Sequence, residues 1–405
     1  MNKNKQILYL LYTIIMVLIF TLNYVDYSPS YSLQIILGLV IVFISFIMVK
    51  YNKNNKKLVK DIFKIFLIPA LLIHLYTIIG MILGFMDSTY FSTNLSKYIP
   101  ILVSMSLILT CGKDAFKICV NSFFLSWTLS VVLALIFRGI GILPFAIMSG
   151  YFGVFDPILG VSKNYFEIHD IVLSVGLLII YFYFINDKLY KKDFATLLFY
   201  LLIMFLGIKR IALLGVFVVL FFIKLTKNKK FKYKKTFLNC ISALLIAFSF
   251  LYLYIIFKLG ILEDISNKFD INLMGRNYYY NTIVKYGKFS GSYLGIGRNA
   301  VTKVLASKYS YLKVTGVHND ILKMYIENGF IVFSLWLIYF VYILPKHFYK
   351  KYGAKVAYLS MALTIYSVIV FTTDNVENYF IFQLFNIIII YDYIMKNNLN
   401  KIEKN

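Results

Sequence analysis

Apolar runs of eighteen or more residues recur along this chain from near its start to near its end. About twenty such residues, wound as a helix, span the hydrocarbon core of a bilayer. The composition agrees: 60% of the 405 residues are hydrophobic and only 15% are charged. Soluble domains carry roughly a quarter charged residues. The chain therefore reads as an all-α integral membrane protein, one polytopic domain over residues 1–405.

Counting runs of that length predicts about twelve transmembrane helices. They fall near 6–24, 31–50, 62–85, 97–112, 118–137, 168–186, 193–208, 211–225, 237–258, 324–345, 354–372 and 379–396. Lysines sit in short blocks between them, as in Lys53-Asn54-Asn55-Lys56-Lys57 and the stretch from Lys227 to Lys235. Lysine-rich short loops stay in the cytoplasm. Both termini and the loops near 50–61, 113–117, 187–192, 224–236 and 346–355 are then expected there. Short loops near 25–30, 86–96 and 373–378 fall outside. Two longer segments also fall outside: 138–168, and a large extracytoplasmic loop at 259–323 between the ninth and tenth spans.

The net charge of +24 follows this topology. It is read as orientation plus attraction to anionic lipid, with no nucleic acid as partner. Cys111, Cys119 and Cys240 match neither a metal site nor a disulfide framework. Lys3 and Lys5 precede an apolar run without a small-residue cleavage site, so the first span is expected to be retained.

Polar chemistry concentrates in the large loop. Arginine occurs only at Arg138, Arg210, Arg276 and Arg298. A guanidinium grips phosphate oxygens as a planar fork, which ammonium cannot do. Lys209-Arg210 lies in a hairpin between two apolar helices, where charge is costly unless it snorkels to the interface or meets an anion. Of the four histidines, His74 lies in an apolar helix, His347 in a lysine block, and His169 opens a span beside Asp170. His318 stands where the large loop turns into a helix. Imidazole there can take a hydroxyl proton or serve as a structural hydrogen-bonding group. Positions 318, 321, 322 and 325 are expected to share one helical face, with Asn319 or Asp320 capping it. Gly295-Ile296-Gly297 lacks the Lys-Ser/Thr of a nucleotide-binding loop and reads as a close backbone approach or turn. No metal site, cofactor or serine-hydrolase elbow is read.

These elements, in this order, resemble the Wzy-type polysaccharide polymerases and their relatives, the O-antigen ligases. Arg210 precedes Ile-Ala-Leu-Leu-Gly. Arg276 is followed by Tyr278, Tyr279 and Tyr280. Gly295 and Gly297 precede His318-Asn319, Leu322, Glu327 and Gly329. Asn164 matches an Asn-centred motif of the family. Lys209 stands where the family often has Ser. The clear likeness covers about residues 205–345.

The resemblance implies a GT-C-like, metal-independent membrane glycosyltransferase acting on the outer face of the cytoplasmic membrane. It would polymerise oligosaccharide repeat units carried on undecaprenyl pyrophosphate, for capsule, O-antigen or exopolysaccharide. The alternatives are a glycan ligase of the same fold, and a lipid-linked oligosaccharide flippase. A chain-length regulator and a flippase are implied partners. Arg210 and Arg276 would hold the pyrophosphate and His318 would orient or deprotonate the acceptor hydroxyl. Lys209, Asn164, Arg298, Tyr278, Asn319 and Glu327 would contact substrate. Arg210 and His318 are expected to serve one cavity.

Overall fold

The computed structural model describes residues 3–24, 30–47, 53–86, 95–142, 144, 166–186, 191–207, 209–227, 234–258, 264, 267–268, 276–308 and 316–402. Among them every regular element is a helix. In chain order these are α1 (Lys3–Thr21), α2 (Ser30–Ile47), α3 (Lys53–Ile62), α4 (Ile68–Ile82), α5 (Ile99–Cys111), α6 (Ala115–Arg138), α7 (His169–Ile185) and α8 (Lys191–Gly207). There follow α9 (Arg210–Lys227), α10 (Lys235–Phe257), α11 (Arg276–Val284), α12 (Ala300–Lys308), α13 (Asp320–Ile338), α14 (Leu344–Tyr352), α15 (Ala354–Phe371) and α16 (Phe380–Ile402).

Among the described residues, six helical stretches are long and apolar enough to cross a membrane, from Gln6–Tyr24 to Ala354–Phe371, and three shorter apolar helices accompany them. Helical turns with one extra residue, Phe63–Leu67 and Tyr339–Ile343, join α3 to α4 and α13 to α14, giving continuous rods of 30 and 33 residues. Ile331, Leu335 and Phe137 stand exposed on such helices. Bare apolar rims of this kind suit lipid rather than water. The protein is a multi-pass membrane protein.

The chain divides into two compact units. The first comprises Met1–Phe66, Ser96–Phe221 and Tyr379–Asn405. There α1 packs on α6, α2 on α5, and α16 against α5 and α7. Buried polar groups tie these helices: Tyr12 Oη and Ser45 Oγ are 2.9 Å apart, and Tyr391 donates to Asp61 at 2.9 Å. Asp170, in the first turn of α7, accepts the Ile381 and Phe382 amides at 3.0 and 2.9 Å. Those amides begin α16 and have no partner within it, so Asp170 closes that helix start as a cap does.

The second unit comprises Leu67–Leu95 and Phe222–Asn378. Here α10, α13 and α15 pack together, with α11 and α12 beside them. Tyr358 on α15 donates to the Lys234 carbonyl at 2.9 Å, and Ser242 on α10 to the Val341 carbonyl at 2.9 Å. The loop expected over 259–323 thus contains the two short helices α11 and α12.

Candidate active site

Asn319 begins the build. Its backbone is extended and its Oδ1 accepts the Leu322 amide at 2.9 Å, an N-cap that contributes about 1 kcal/mol. Helix α13 therefore starts at Asp320, and His318 lies outside it. The shared helical face expected for 318, 321, 322 and 325 is not formed. His318 instead adopts a left-handed backbone, φ +51°, uncommon for a residue with a side chain and frequent at functional sites.

The short loop 372–378 holds His318 there. Asn375 Oδ1 accepts the His318 amide at 2.9 Å, and Asp374 Oδ1 lies 3.6 Å from His318 Nδ1. The imidazole is one third exposed and the Asp374 carboxylate is 1% exposed. The Asn375 side-chain amide lies 3.5 Å from the same His318 Nδ1, so both neighbours sit on the Nδ1 side and leave Nε2 for chemistry. A carboxylate thus lies beside the His318 ring.

Arg276 joins from α11. Its charge acts on the hydroxyls of Tyr280, one turn later, and Tyr252 on α10. Asn319 Nδ2 donates to Tyr252 Oη at 2.9 Å, and Tyr252 donates to the Thr372 carbonyl at 2.6 Å. Tyr280 Oη reaches the His318 carbonyl at 3.5 Å. Burial pushes the Tyr280 hydroxyl above its ordinary value, against the pull of the Arg276 charge and the Asn319 bond. Arg276, Tyr280, Asn319, Tyr252 and His318 therefore form one polar group of the second unit. Tyr278 is 72% exposed.

A second knot sits one turn into α13. Glu377 pairs with Arg298 and, at 3.4 Å, with Lys323, while its amide donates to Asp320 Oδ2 at 2.7 Å. Lys323 is 2% exposed and Arg298 11%. Arg298 was expected to meet substrate, but its guanidinium is neutralised by Glu377 and held against Met324 Sδ.

Gly295 and Gly329 explain the Gly-x-Gly and Glu-x-Gly motifs together. Helix α13 breaks at Gly329, with φ +74° and ψ 178°. The segment 293–297 fills the break: the Ile326 and Glu327 carbonyls accept the Ile296 and Gly297 amides at 3.1 and 2.9 Å, and Phe330 donates to Tyr293 O at 2.8 Å. A Cβ on Gly295 would lie 2.5 Å from the Glu327 carbonyl oxygen, so only glycine allows this approach. The Glu327 side chain is fully buried, and neither carboxylate oxygen has a hydrogen-bond partner among the described residues. That enclosure does not provide the open substrate contact expected of it.

In the first unit, Arg210 is exposed at the first position of α9. Lys209 beside it is buried, and its ammonium lies 3.4 Å from Glu167. Lys209 was expected to contact substrate, yet it is already paired. His169 bonds Tyr379 Oη at 3.0 Å and lies 3.7 Å from Glu167. Burial alone would raise the Glu167 carboxyl, but the bond from His169 and the Lys209 charge outweigh it and hold the group below its ordinary value. Asn164 lies outside the described residues.

Tyr252, Asp374, Asn375 and Glu377 were missed by sequence reasoning. One signal was available: Thr-Thr-Asp-Asn-Val-Glu-Asn at 372–378 is a polar run without lysine between two apolar helices, and it carries two of only 18 acids.

Comparison with known proteins gives one family. Residues 195–337 match the family model described as Wzy_C, O-antigen ligase. The curated proteins give no match. The matched stretch contains Arg210, Arg276, Gly295, Gly297, His318, Glu327 and Gly329, and over it the chain is similar to the O-antigen ligase and Wzy-related superfamily.

Proposed function

We propose that the protein polymerises undecaprenyl-pyrophosphate-linked repeat units by glycosyl transfer on the outer face of the cytoplasmic membrane. The superfamily supports glycosyl transfer onto or from a lipid-linked glycan in general. The observation that carries the finer reading is the convergence of Arg276, Asn319 and His318 on buried Tyr280 and half-buried Tyr252. An anion grip and a proton acceptor within one small group are what transfer from a pyrophosphate requires. Arg276 and Arg210 hold the pyrophosphate and stabilise the charge that grows as it leaves. His318, oriented by Asp374, takes the proton of the attacking sugar hydroxyl through Nε2. The glycosidic bond forms as the bond from the anomeric carbon to the pyrophosphate oxygen breaks. Positioning and charge stabilisation suit so good a leaving group. Exposed Tyr278 offers a ring for sugar stacking.

The reading includes about twelve spans, termini in the cytoplasm and the 259–323 segment outside. Purified protein in liposomes, given one defined lipid-linked repeat unit, is expected to yield a ladder of lengthening lipid-linked products. A single transfer to a different, non-identical acceptor with no ladder would assign the ligase reaction instead. Movement of unchanged substrate across the bilayer without any new glycosidic bond would reject both.

A further inference from the structure

The second unit contains a groove that the proposed reaction does not use. It has a volume of about 330 Å³. One wall is a single face of α10, where Lys235, Asn239 and Ser242 follow helical spacing. The other runs from the widened turn Tyr339–Ile343 into α14 and carries Tyr342, Lys346 and Lys350.

Its charge is one-sided. Three ammonium groups line it, and no lining residue is acidic. All three act electrostatically on the Tyr342 hydroxyl. Lys346 donates to that hydroxyl at 3.0 Å and lies 4.8 Å from the ring centroid. Cations gathered around one hydroxyl with no carboxylate among them repel one another, and an anion relieves that repulsion. Helix α10 starts at the same place, and its N-cap residue Lys234 makes no side-chain cap, so its first amides add positive potential.

Two further features identify the anion's kind. The groove lies about 26 Å along α10 from Tyr252, by 1.5 Å for each of the 17 residues from Lys235. That separation is close to the roughly 30 Å hydrocarbon thickness, so the groove and the His318 group occupy opposite ends of a spanning helix. Beyond the groove, on the face of α13 that leads to Tyr342, Ile331, Leu335 and Ile338 are exposed. A cationic cup at one membrane interface opens onto an apolar strip. A free phosphate matches only the cup, whereas an amphiphile matches both.

We propose that this groove binds the phosphate headgroup of an anionic phospholipid, whose acyl chains follow the exposed face of α13. The lipid clamps α10 to the α13–α14 rod at the end remote from the reaction. The assignment does not depend on which glycosyl transfer the protein performs.

Thermal melting of the full chain in neutral detergent tests it. Titrated short-chain phosphatidylglycerol is expected to raise the melting temperature saturably, and short-chain phosphatidylcholine is not. In the triple variant Lys235→Gln, Lys346→Gln, Lys350→Gln, the apparent affinity should weaken on the order of 100-fold, at roughly 1 kcal/mol for each lysine. Lys53→Gln, Lys56→Gln, Lys57→Gln, an equal loss of charge in the first unit, should leave it near wild type. Undiminished affinity in the groove triple, or equal loss in both triples, overturns the site. An equal response to inorganic phosphate at the same concentration overturns the lipid as ligand. Should the groove triple not fold, Lys350→Gln alone, at an exposed position, is expected to weaken affinity about fivefold; no change there overturns the site as well.

Discussion

His318 is held by its backbone rather than by a helix, and this makes its side chain separable from the fold. The Asn375 bond is to the main-chain amide, so removing the ring leaves the loop anchored. His318→Ala is therefore expected to keep near-normal melting and substrate binding while glycan product disappears, read by product gels and a lipid-linked substrate binding assay. Asp374→Asn keeps the ring but weakens its orientation, and should lower kcat about tenfold or more with little change in KM. Arg276→Lys preserves charge and loses the fork. It is expected to cost on the order of 100-fold in rate, and a wild-type rate from a well-expressed variant would remove Arg276 from the proposed chemistry.

Chain order revealed His318, Asn319 and Arg276 because these carry rare side chains in a recognisable sequence. It did not reveal Asn375, 57 residues from His318, or Tyr252, 67 residues from Asn319, since nothing periodic links them to the site. The ion pairs of Lys209 and Arg298 were hidden for a related reason. A cation shows in a sequence, but the carboxylate that neutralises it comes from elsewhere.

At the scale of elements, hydropathy made the helices legible, and propensity for a cap made the start of α13 nearly so. The interruption of α13 was hidden: Gly329 sits inside an apolar run that reads as unbroken helix, and only the approach of 293–297 explains it. Gly329→Ala forces a side chain into a left-handed backbone and places its Cβ 2.3 Å from the Leu294 carbonyl carbon. Such strain costs about 1–3 kcal/mol, before the collision is relieved, and should appear as a lowered melting temperature. The hairpin before α9 makes a different prediction. Glu167 is held low in the fold, so its contribution is complete above the unfolded value of about 4.3 and is lost as pH falls through the lower folded value. Glu167→Gln should flatten the acid limb of the melting curve between about pH 5 and 3 and leave the neutral region nearly unchanged in slope.

For the whole molecule, Glu377 reaches the segments carrying Arg298, Asp320 and Lys323. Removing it strands two enclosed cations, and breaking such a buried group costs about 3–5 kcal/mol. Glu377→Ala is accordingly expected to lower the melting temperature far more than Arg298→Met, which removes one cation and leaves Lys323 with Glu377. Comparable losses in the two would show that the knot is solvated. The broken helix also constrains how the protein is made. Within α13 the Ile326 and Glu327 carbonyls and the Phe330 amide bond to residues 293–297, and stranded backbone groups are poorly tolerated in lipid. Those partners emerge from the ribosome before α13 does. The segment thus serves as a template that must be folded when the next span enters the membrane, which couples insertion of that span to the order of synthesis.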